Sequence, residues 1–307
     1  MNLSSLPSDK PCPFQIAELK GQLLYAESLS QYTSWRVGGP AEWFYKPTNL
    51  ADLMCFMRQL PSDMPIFWLG LGSNLLVRDG GIRGAVILTA GLLNTIWQQD
   101  GQSLWIEAGV SCPKIARFAS RVGLSGVEFL AGIPGTFGGA LTMNAGAFGG
   151  ETWNWVREVA VLNRQGQSFR RPPSDYQIGY RTVITPADEW FVGARLQLTP
   201  VQGDEKESKI RDLLKQRQEK QPIGLPSCGS VFRNPPNDYA GRLIEQQGWK
   251  GRCVGGACVS EKHANFIINT GQATASEIES LIRQIQASVA QATGIQLATE
   301  VCIVGEQ

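Results

Sequence analysis

The residues best placed for chemistry in this chain of 307 lie in two glycine-rich stretches with few side chains. Between Ala131 and Glu151, seven of twenty-one residues are glycine, in the run Ala-Gly-Ile-Pro-Gly-Thr-Phe-Gly-Gly-Ala-Leu-Thr-Met-Asn-Ala-Gly-Ala-Phe-Gly-Gly-Glu. Glycine loses the most backbone freedom on folding, so such density needs a reason. Bare N–H groups that let a bulky, phosphate-bearing ligand come close would be one. The run is not a Walker loop, because no Lys-Ser or Lys-Thr pair follows its glycines. Nor does it match Gly-x-Gly-x-x-Gly, so a dinucleotide-binding Rossmann unit fails on spacing. A flexible linker is the plain alternative. Ile133, Phe137, Leu141, Met143 and Phe148 are too apolar for a solvated linker. The stretch therefore reads as a buried loop wrapped around a ligand.

The second stretch is Gly70-Leu-Gly-Ser-Asn-Leu-Leu-Val, directly after the apolar strand Ile66–Leu69. A strand ending in Gly-x-Gly-Ser-Asn offers backbone N–H groups and two short polar side chains at its carboxyl end, where open α/β sheets bind ligands. A simple tight turn uses the same residue types. Upstream, Arg36 beside Gly38-Gly39 could hold a phosphate or pair with a surface carboxylate. The single histidine, His263, argues against His-rich metal chemistry and against a Ser-His-Asp triad built elsewhere. Acid–base chemistry must then rest on carboxylates, hydroxyls or a cofactor.

These groups need elements to carry them. Strands are expected at Glu42–Lys46, Ile66–Leu69, Ala85–Thr89, Ser103–Ala108, Val156–Leu162, Trp190–Leu198, Ala264–Asn269 and Glu300–Val304. Thr48 is expected to cap a helix whose Leu50, Leu53, Met54, Met57 and Leu60 follow helical spacing. Ser111 and Pro113 open a second helix, which Gly123 ends. A charged helix is expected from Glu205 to Glu219 and a short one over Tyr239–Gln247. Ser276 with Glu279 reads as the capping box of a helix stopped by Gly294. Tyr176 to Arg181 reads as a connection between strands, and Pro200 to Glu207 as a polar linker.

Twenty-eight basic against twenty-seven acidic residues leave a net charge of +1, with no long basic run, which makes nucleic acid and anionic membrane poor partners. Met1–Lys10 is polar, without an apolar signal region, and no segment reaches transmembrane length, so a cytosolic protein is expected. The seven cysteines, at 12, 55, 112, 228, 253, 258 and 302, form no Cys-x-x-Cys pair. They read as reduced, buried small hydrophobes, and Cys253 with Cys258 lacks the second ligand cluster a zinc site needs. The length allows two or three domains.

Three stretches taken together resemble one family. Gly70–Val77, the 131–149 run and Gly229-Ser-Val-Phe-Arg-Asn-Pro235 are similar, in order and spacing, to the UDP-N-acetylenolpyruvoylglucosamine reductases of peptidoglycan synthesis. The likeness extends from about Tyr32 to Gly305. It implies an α+β fold: two subdomains that enclose FAD, of the vanillyl-alcohol-oxidase type, plus a C-terminal α/β substrate domain. The parts expected are an N-terminal tail (1–20), FAD-binding subdomain 1 (21–90), subdomain 2 (91–200), the substrate domain (205–300) and a C-terminal strand and end (301–307). The resemblance implies FAD held non-covalently, and the absence of histidine from the flavin half fits that. By resemblance the cofactor contacts are Arg36, Gly38, Gly70, Gly72, Ser73, Asn74, Leu75, Gly132, Ile133, Pro134, Gly135, Gly138, Gly139, Asn144, Ala145 and Gly146.

The family's reaction takes two electrons from NADPH into the flavin, then moves a hydride from flavin N5 to C3 of the enolpyruvyl group of UDP-N-acetylglucosamine enolpyruvate. By resemblance Arg181 binds the substrate carboxylate, Ser230 protonates C2, and Glu300 orients or stabilises the reacting group. Arg217 and Gln221 resemble contacts to the UDP diphosphate, and Tyr180 and Asn234 carry over as further substrate contacts. Thr182-Val183 follow Arg181 where the family usually has Asp or Asn and then Ser. The extra tyrosine-bearing substrate loop of one subtype is missing, so the shorter subtype is expected. The implied protein is a cytoplasmic monomer acting on a small molecule, with no nucleic-acid or membrane partner and no metal. Two rivals stand beside it. One is an FAD-dependent alcohol oxidase or dehydrogenase of the same fold. The other is a non-catalytic nucleotide-sugar or flavin-binding regulator, which would leave Ser230 and Glu300 without a role.

Overall fold

The computed structural model describes residues 12–201 and 205–307. The chain divides into two units: one holds the chain up to Tyr25, Trp43–Gly70 and Gly84–Gln216, the other Ala26–Glu42, Leu71–Arg83 and Arg217–Gln307.

The first unit has two hydrophobic cores. One forms under a four-stranded sheet in the order Gln22–Ser28, Pro40–Lys46, Ile82–Leu88, Ile66–Leu69. Ile66–Leu69 runs parallel to its neighbour, with Phe67 opposite Val86. Helix α1 (Leu50–Gln59) buries Leu53, Phe56 and Met57 in this core, three positions on one helical face. Its cap is Asn49, whose side chain accepts from the Asp52 N–H at 3.0 Å, and not Thr48 as the sequence suggested. Thr48 instead gives its N–H and its hydroxyl to the Asp52 carboxylate, at 2.8 and 3.2 Å. The strand Gln22–Ser28 was not foreseen.

The other core of this unit lies beside a five-stranded antiparallel sheet, Ser168–Arg171, Val156–Asn163, Glu189–Gln197, Ser103–Glu107, Ile96–Gln98. Helix α2 (Cys112–Arg121) covers it with Ile115, Ala116 and Ala119, and Ser111 stands at its N-cap without a side-chain cap bond. The stretch expected as a connection folds as a hairpin. Gln177–Gly179 pairs with Thr182–Ile184, and Tyr180-Arg181 form its two-residue tip.

In the second unit a three-stranded sheet, Cys253–Val254, Ala257–Val259, Ile267–Asn269, is joined by a parallel pair in which Ile303 lies opposite Leu76. Between α3 (Phe137–Thr142) of the first unit and this sheet's first strand, the chain runs through α4 (Glu205–Lys220) and α5 (Ala240–Gln246). Helix α6 (Ala275–Thr293) follows the sheet and is stopped by Gly294 in the left-handed conformation, φ 73°. Its capping box is Thr274 with Glu277, two residues upstream of the expected pair. The Ser/Thr-x-x-Glu pattern occurs twice here in overlapping registers. The second copy is occupied otherwise: Ser276 donates its N–H and hydroxyl to Asp79, and Glu279 accepts from Arg78 and Arg283.

Two cysteines correct the reading of all seven as reduced. Gly255-Gly256 close a tight turn that puts Cys253 opposite Cys258 across an antiparallel pair, Cα atoms 4.1 Å apart, and the two form a disulfide. Cys112 and Cys228 are buried as expected, whereas Cys302 is exposed. Of the expected N-terminal tail, the first eleven residues lie outside the described part, as do 202–204 of the expected linker. Among the described residues no helix is long and apolar enough to cross a membrane, and no cluster of His, Cys, Asp and Glu is suited to a metal ion.

Candidate active site

In the first unit the glycine-rich run is built rather than loose. A 3₁₀ turn, Glu128–Gly132, leads through Ile133-Pro134-Gly135 into α3, and Gly146–Ala147 then pairs back on Gly150–Glu151. The first two N–H groups of α3 are spoken for: Phe137 donates to Val110 O at 2.8 Å and Gly138 to Ala108 O at 2.7 Å. Gly139 follows, exposed, and a Cβ there would meet only the Thr136 hydroxyl, at 3.7 Å. The same hydroxyl stands 2.5 Å from where a Cβ on Gly70 would be, so that position admits only glycine without movement of Thr136. Thr136 is the N-cap of α3 but makes no capping bond with its side chain. A strip of bare backbone with a hydroxyl beside it is the result.

Asn144 links this run to the hairpin. It is buried in a left-handed conformation, φ 43°, with its amide donating to Glu151 Oε2 at 3.0 Å and Gly179 O at 3.1 Å. Its Oδ1 accepts from the Trp153 N–H at 3.2 Å. From the hairpin tip Arg181 donates Nη2 to Gly146 O at 2.6 Å. Arg181 itself has φ 54° and Phe148 has φ 52°, so three side-chain-bearing residues of this neighbourhood hold a conformation normally left to glycine. Tyr180, at the same tip, is 59% exposed and stacks on the Arg181 guanidinium at 5.5 Å. Ala145 is buried, and its carbonyl accepts from both the N–H and the hydroxyl of Thr152.

In the second unit Gly72 (φ 58°) turns so tightly that a Cβ would fall 2.1 Å from Tyr32 O, and Gly38 (φ 132°) would collide with Val77. Arg36 is also left-handed, φ 59°. Ser73 is half-buried in the turn. Cys228 lies against this turn, its thiol reaching Leu75 O at 3.3 Å and Gly72 O at 3.6 Å; burial pushes that thiol up to about 12. Asn74 donates its side-chain amide to Glu300 O at 3.1 Å and accepts from Cys302 N at 2.9 Å through its backbone.

The segments that carry Ser230 and Glu300 meet through the backbone. The Glu300 N–H donates to Val231 O at 2.8 Å, Phe232 bridges Thr299, and Arg233 N donates to Ala298 O at 2.9 Å. The two residues thus stand on adjacent, hydrogen-bonded segments of one unit. Arg217 and Gln221 also come together, Nε to Oε1 at 2.9 Å on the last turn of α4, and burial lowers the Arg217 guanidinium from its ordinary value. Asn234 uses its Oδ1 to accept from Ala240 N at 3.1 Å, at the start of α5. One residue that sequence reasoning passed over is Asn265. It is 4% exposed and bonds Phe232 through both atoms of its amide. The signal was an asparagine inside the apolar run Ala264-Asn-Phe-Ile-Ile.

Comparison with known proteins shows the family. Residues 221–304 match the family model of the UDP-N-acetylenolpyruvoylglucosamine reductase C-terminal domain, and residues 41–170 match that of an FAD binding domain. A UDP-N-acetylenolpyruvoylglucosamine reductase of Alkalilimnicola ehrlichii is 57% identical over 93% of this chain and 96% of its own. The chain belongs to the UDP-N-acetylenolpyruvoylglucosamine reductases. A second relative of the same description, from Nitrosococcus oceani, is 54% identical over 94% of this chain and 97% of its own. The crystal structure of a UDP-N-acetylenolpyruvylglucosamine reductase from Thermus caldophilus superposes with a TM-score of 0.79 at 34% identity, over 93% of this chain and 99% of that one. A 6-hydroxy-D-nicotine oxidase from Arthrobacter nicotinovorans shares the fold, with a TM-score of 0.57 at 12% identity over 91% of this chain and 88% of that one.

Membership in the family makes this an FAD-dependent oxidoreductase of peptidoglycan synthesis, with the FAD-binding fold of the vanillyl-alcohol-oxidase type and the family's C-terminal domain. The first unit fits the cofactor on its own evidence. Gly139 presents open backbone beside an uncommitted N-cap hydroxyl, which is what a phosphate-bearing ligand can approach closely.

Proposed function

We propose that the protein reduces UDP-N-acetylglucosamine enolpyruvate to UDP-N-acetylmuramate in the cytoplasm, as a monomer, with NADPH as the source of electrons. The residues that would hold FAD are Gly70, Gly132 to Gly135, Gly138, Gly139 and Asn144 to Gly146 in the first unit. In the second they are Arg36, Gly38 and Gly72 to Leu75. FAD held there and reduced by NADPH would supply a hydride to C3 of the enolpyruvyl group, which would leave negative charge building toward C2 and the carboxylate. The chain's own groups must then hold that charge and deliver a proton. Arg181 grips the carboxylate with a planar guanidinium, matched to its two oxygens. Ser230 gives its hydroxyl proton to C2, and Glu300 orients the reacting group. Arg217, Gln221, Tyr180 and Asn234 bind the nucleotide and sugar.

The observation that supports this reading is the backbone bond from Glu300 N–H to Val231 O at 2.8 Å, which joins the segment next to Ser230 to the segment that carries Glu300. Neither a flavin oxidase nor a binding protein needs that pair. Rapid mixing of the Ser230→Ala variant tests it. Reduction of its flavin by NADPH should match the wild type, and reoxidation by the enolpyruvyl sugar should slow by about 10²–10⁴-fold, the usual loss of a general acid. Equal slowing of both half-reactions would remove Ser230 from the proton-donor role.

A further inference from the structure

We propose that Asn265 is a positioning residue for the substrate half-reaction, setting the register in which Ser230 and Glu300 are presented; this rests on the function proposed above. Ser230 has two very unequal neighbours. On its N-terminal side, Gly229 is left-handed, φ 75°, and even a Cβ there would meet nothing within 4 Å. On its C-terminal side the backbone is pinned at every polar atom. The Val231 N–H donates to Asn265 O at 2.9 Å, and the Phe232 N–H donates to Asn265 Oδ1 at 2.9 Å. Asn265 Nδ2 returns a bond to Phe232 O at 2.8 Å.

An amide side chain has a donor and an acceptor in one plane, so it engages Phe232 as a neighbouring β-strand would. Val231 O accepts the Glu300 N–H at 2.8 Å. Asn265 therefore holds the segment that carries Ser230, and the Glu300 segment is hydrogen-bonded to that same backbone. It is 4% exposed and touches neither reacting group through any bond the structure shows, so its action is on placement. Reactions that depend on geometry lose about 10²-fold for a misplacement of about 1 Å.

The test compares Asn265→Ala and Asn265→Asp with the wild type and Ser230→Ala, all as purified holoenzyme with flavin content measured. Aspartate keeps the acceptor for the Phe232 N–H and the side-chain volume but loses the donor to Phe232 O. Flavin reduction by NADPH should stay within about twofold of wild type in both variants. Reoxidation by UDP-N-acetylglucosamine enolpyruvate should fall at least about tenfold in Asn265→Ala and by less in Asn265→Asp, with kcat falling more than KM rises. If Asn265→Ala does not fold, Asn265→Asp decides by the same split. Unchanged reoxidation, equal loss in both half-reactions, or a rise in KM alone would overturn the proposal. The control separates two failures: if Ser230→Ala also reoxidises normally, the catalytic reading has fallen, whereas a slow Ser230→Ala beside a normal Asn265 variant sinks the positioning role only.

Discussion

Arg181 is held at a hairpin tip with φ 54°, and a non-glycine residue there carries strain of about 1–3 kcal/mol. Glycine would relieve it, yet arginine stands there, its Nη2 on the Gly146 carbonyl at 2.6 Å. Arg181→Lys keeps the charge and the backbone but not the fork. It should leave stability within about 0.5 kcal/mol of wild type while slowing flavin reoxidation by substrate about 10²-fold. Thermal unfolding and single-turnover kinetics on the same preparation check both halves. A variant with normal turnover would remove the carboxylate-binding role. Arg181 was legible only through the family pattern, because an arginine after a tyrosine has no local signature of its own. Its left-handed backbone is seen only in three dimensions.

At the scale of elements, Asp52 shows how one side chain ties a sheet to a helix. Its carboxylate, 4% exposed, accepts from the Tyr45 hydroxyl at 2.7 Å, Lys20 N at 2.8 Å and Thr48 N at 2.8 Å. Burial pushes its pKa up, but these bonds from Thr48, Tyr45 and Lys20 outweigh it and hold the carboxyl below the ordinary range. The folded value is therefore lower than the unfolded one. The stabilisation is complete above the ordinary carboxylate range and is lost as pH falls through the folded value. Asp52→Ala should cost about 2–4 kcal/mol at neutral pH, by stranding buried donors. The gap to wild type should narrow in acid, and a gap that stays constant in denaturant titrations from neutral pH down to about pH 2 would contradict the account.

Helix α1 itself was plain from its apolar spacing, and so were most strands. Ends and caps were not: Asn49 took the place of Thr48, and Thr274 that of Ser276, because neighbouring residues offer the same chemistry and tertiary partners choose between them. The hairpin at Gln177–Ile184 escaped notice since Tyr-Arg is not a turn pair that sequence rules favour. The disulfide depended on the Gly255-Gly256 turn, whose register the sequence leaves open.

At the scale of the whole chain, the site is assembled from residues that local patterning cannot join. Ser230 and Glu300 are bound to adjacent segments, yet nothing in the residues around either one names the other. The family resemblance supplied that link. Asn265 lies outside the three stretches that carry the resemblance and needed coordinates to be seen. The fold was more legible than the site, since three apolar cores leave their periodicity in the sequence. A proton donor leaves one letter.

The central claim is that electrons pass from NADPH to an enolpyruvyl sugar through this chain's flavin. An anaerobic titration of the holoenzyme, following the flavin absorbance, tests it most directly. NADPH should bleach the flavin, and adding UDP-N-acetylglucosamine enolpyruvate should restore the oxidised spectrum in proportion to the substrate supplied. Bleaching that persists until oxygen is admitted would contradict the claim and move the protein to the oxidase branch of its fold.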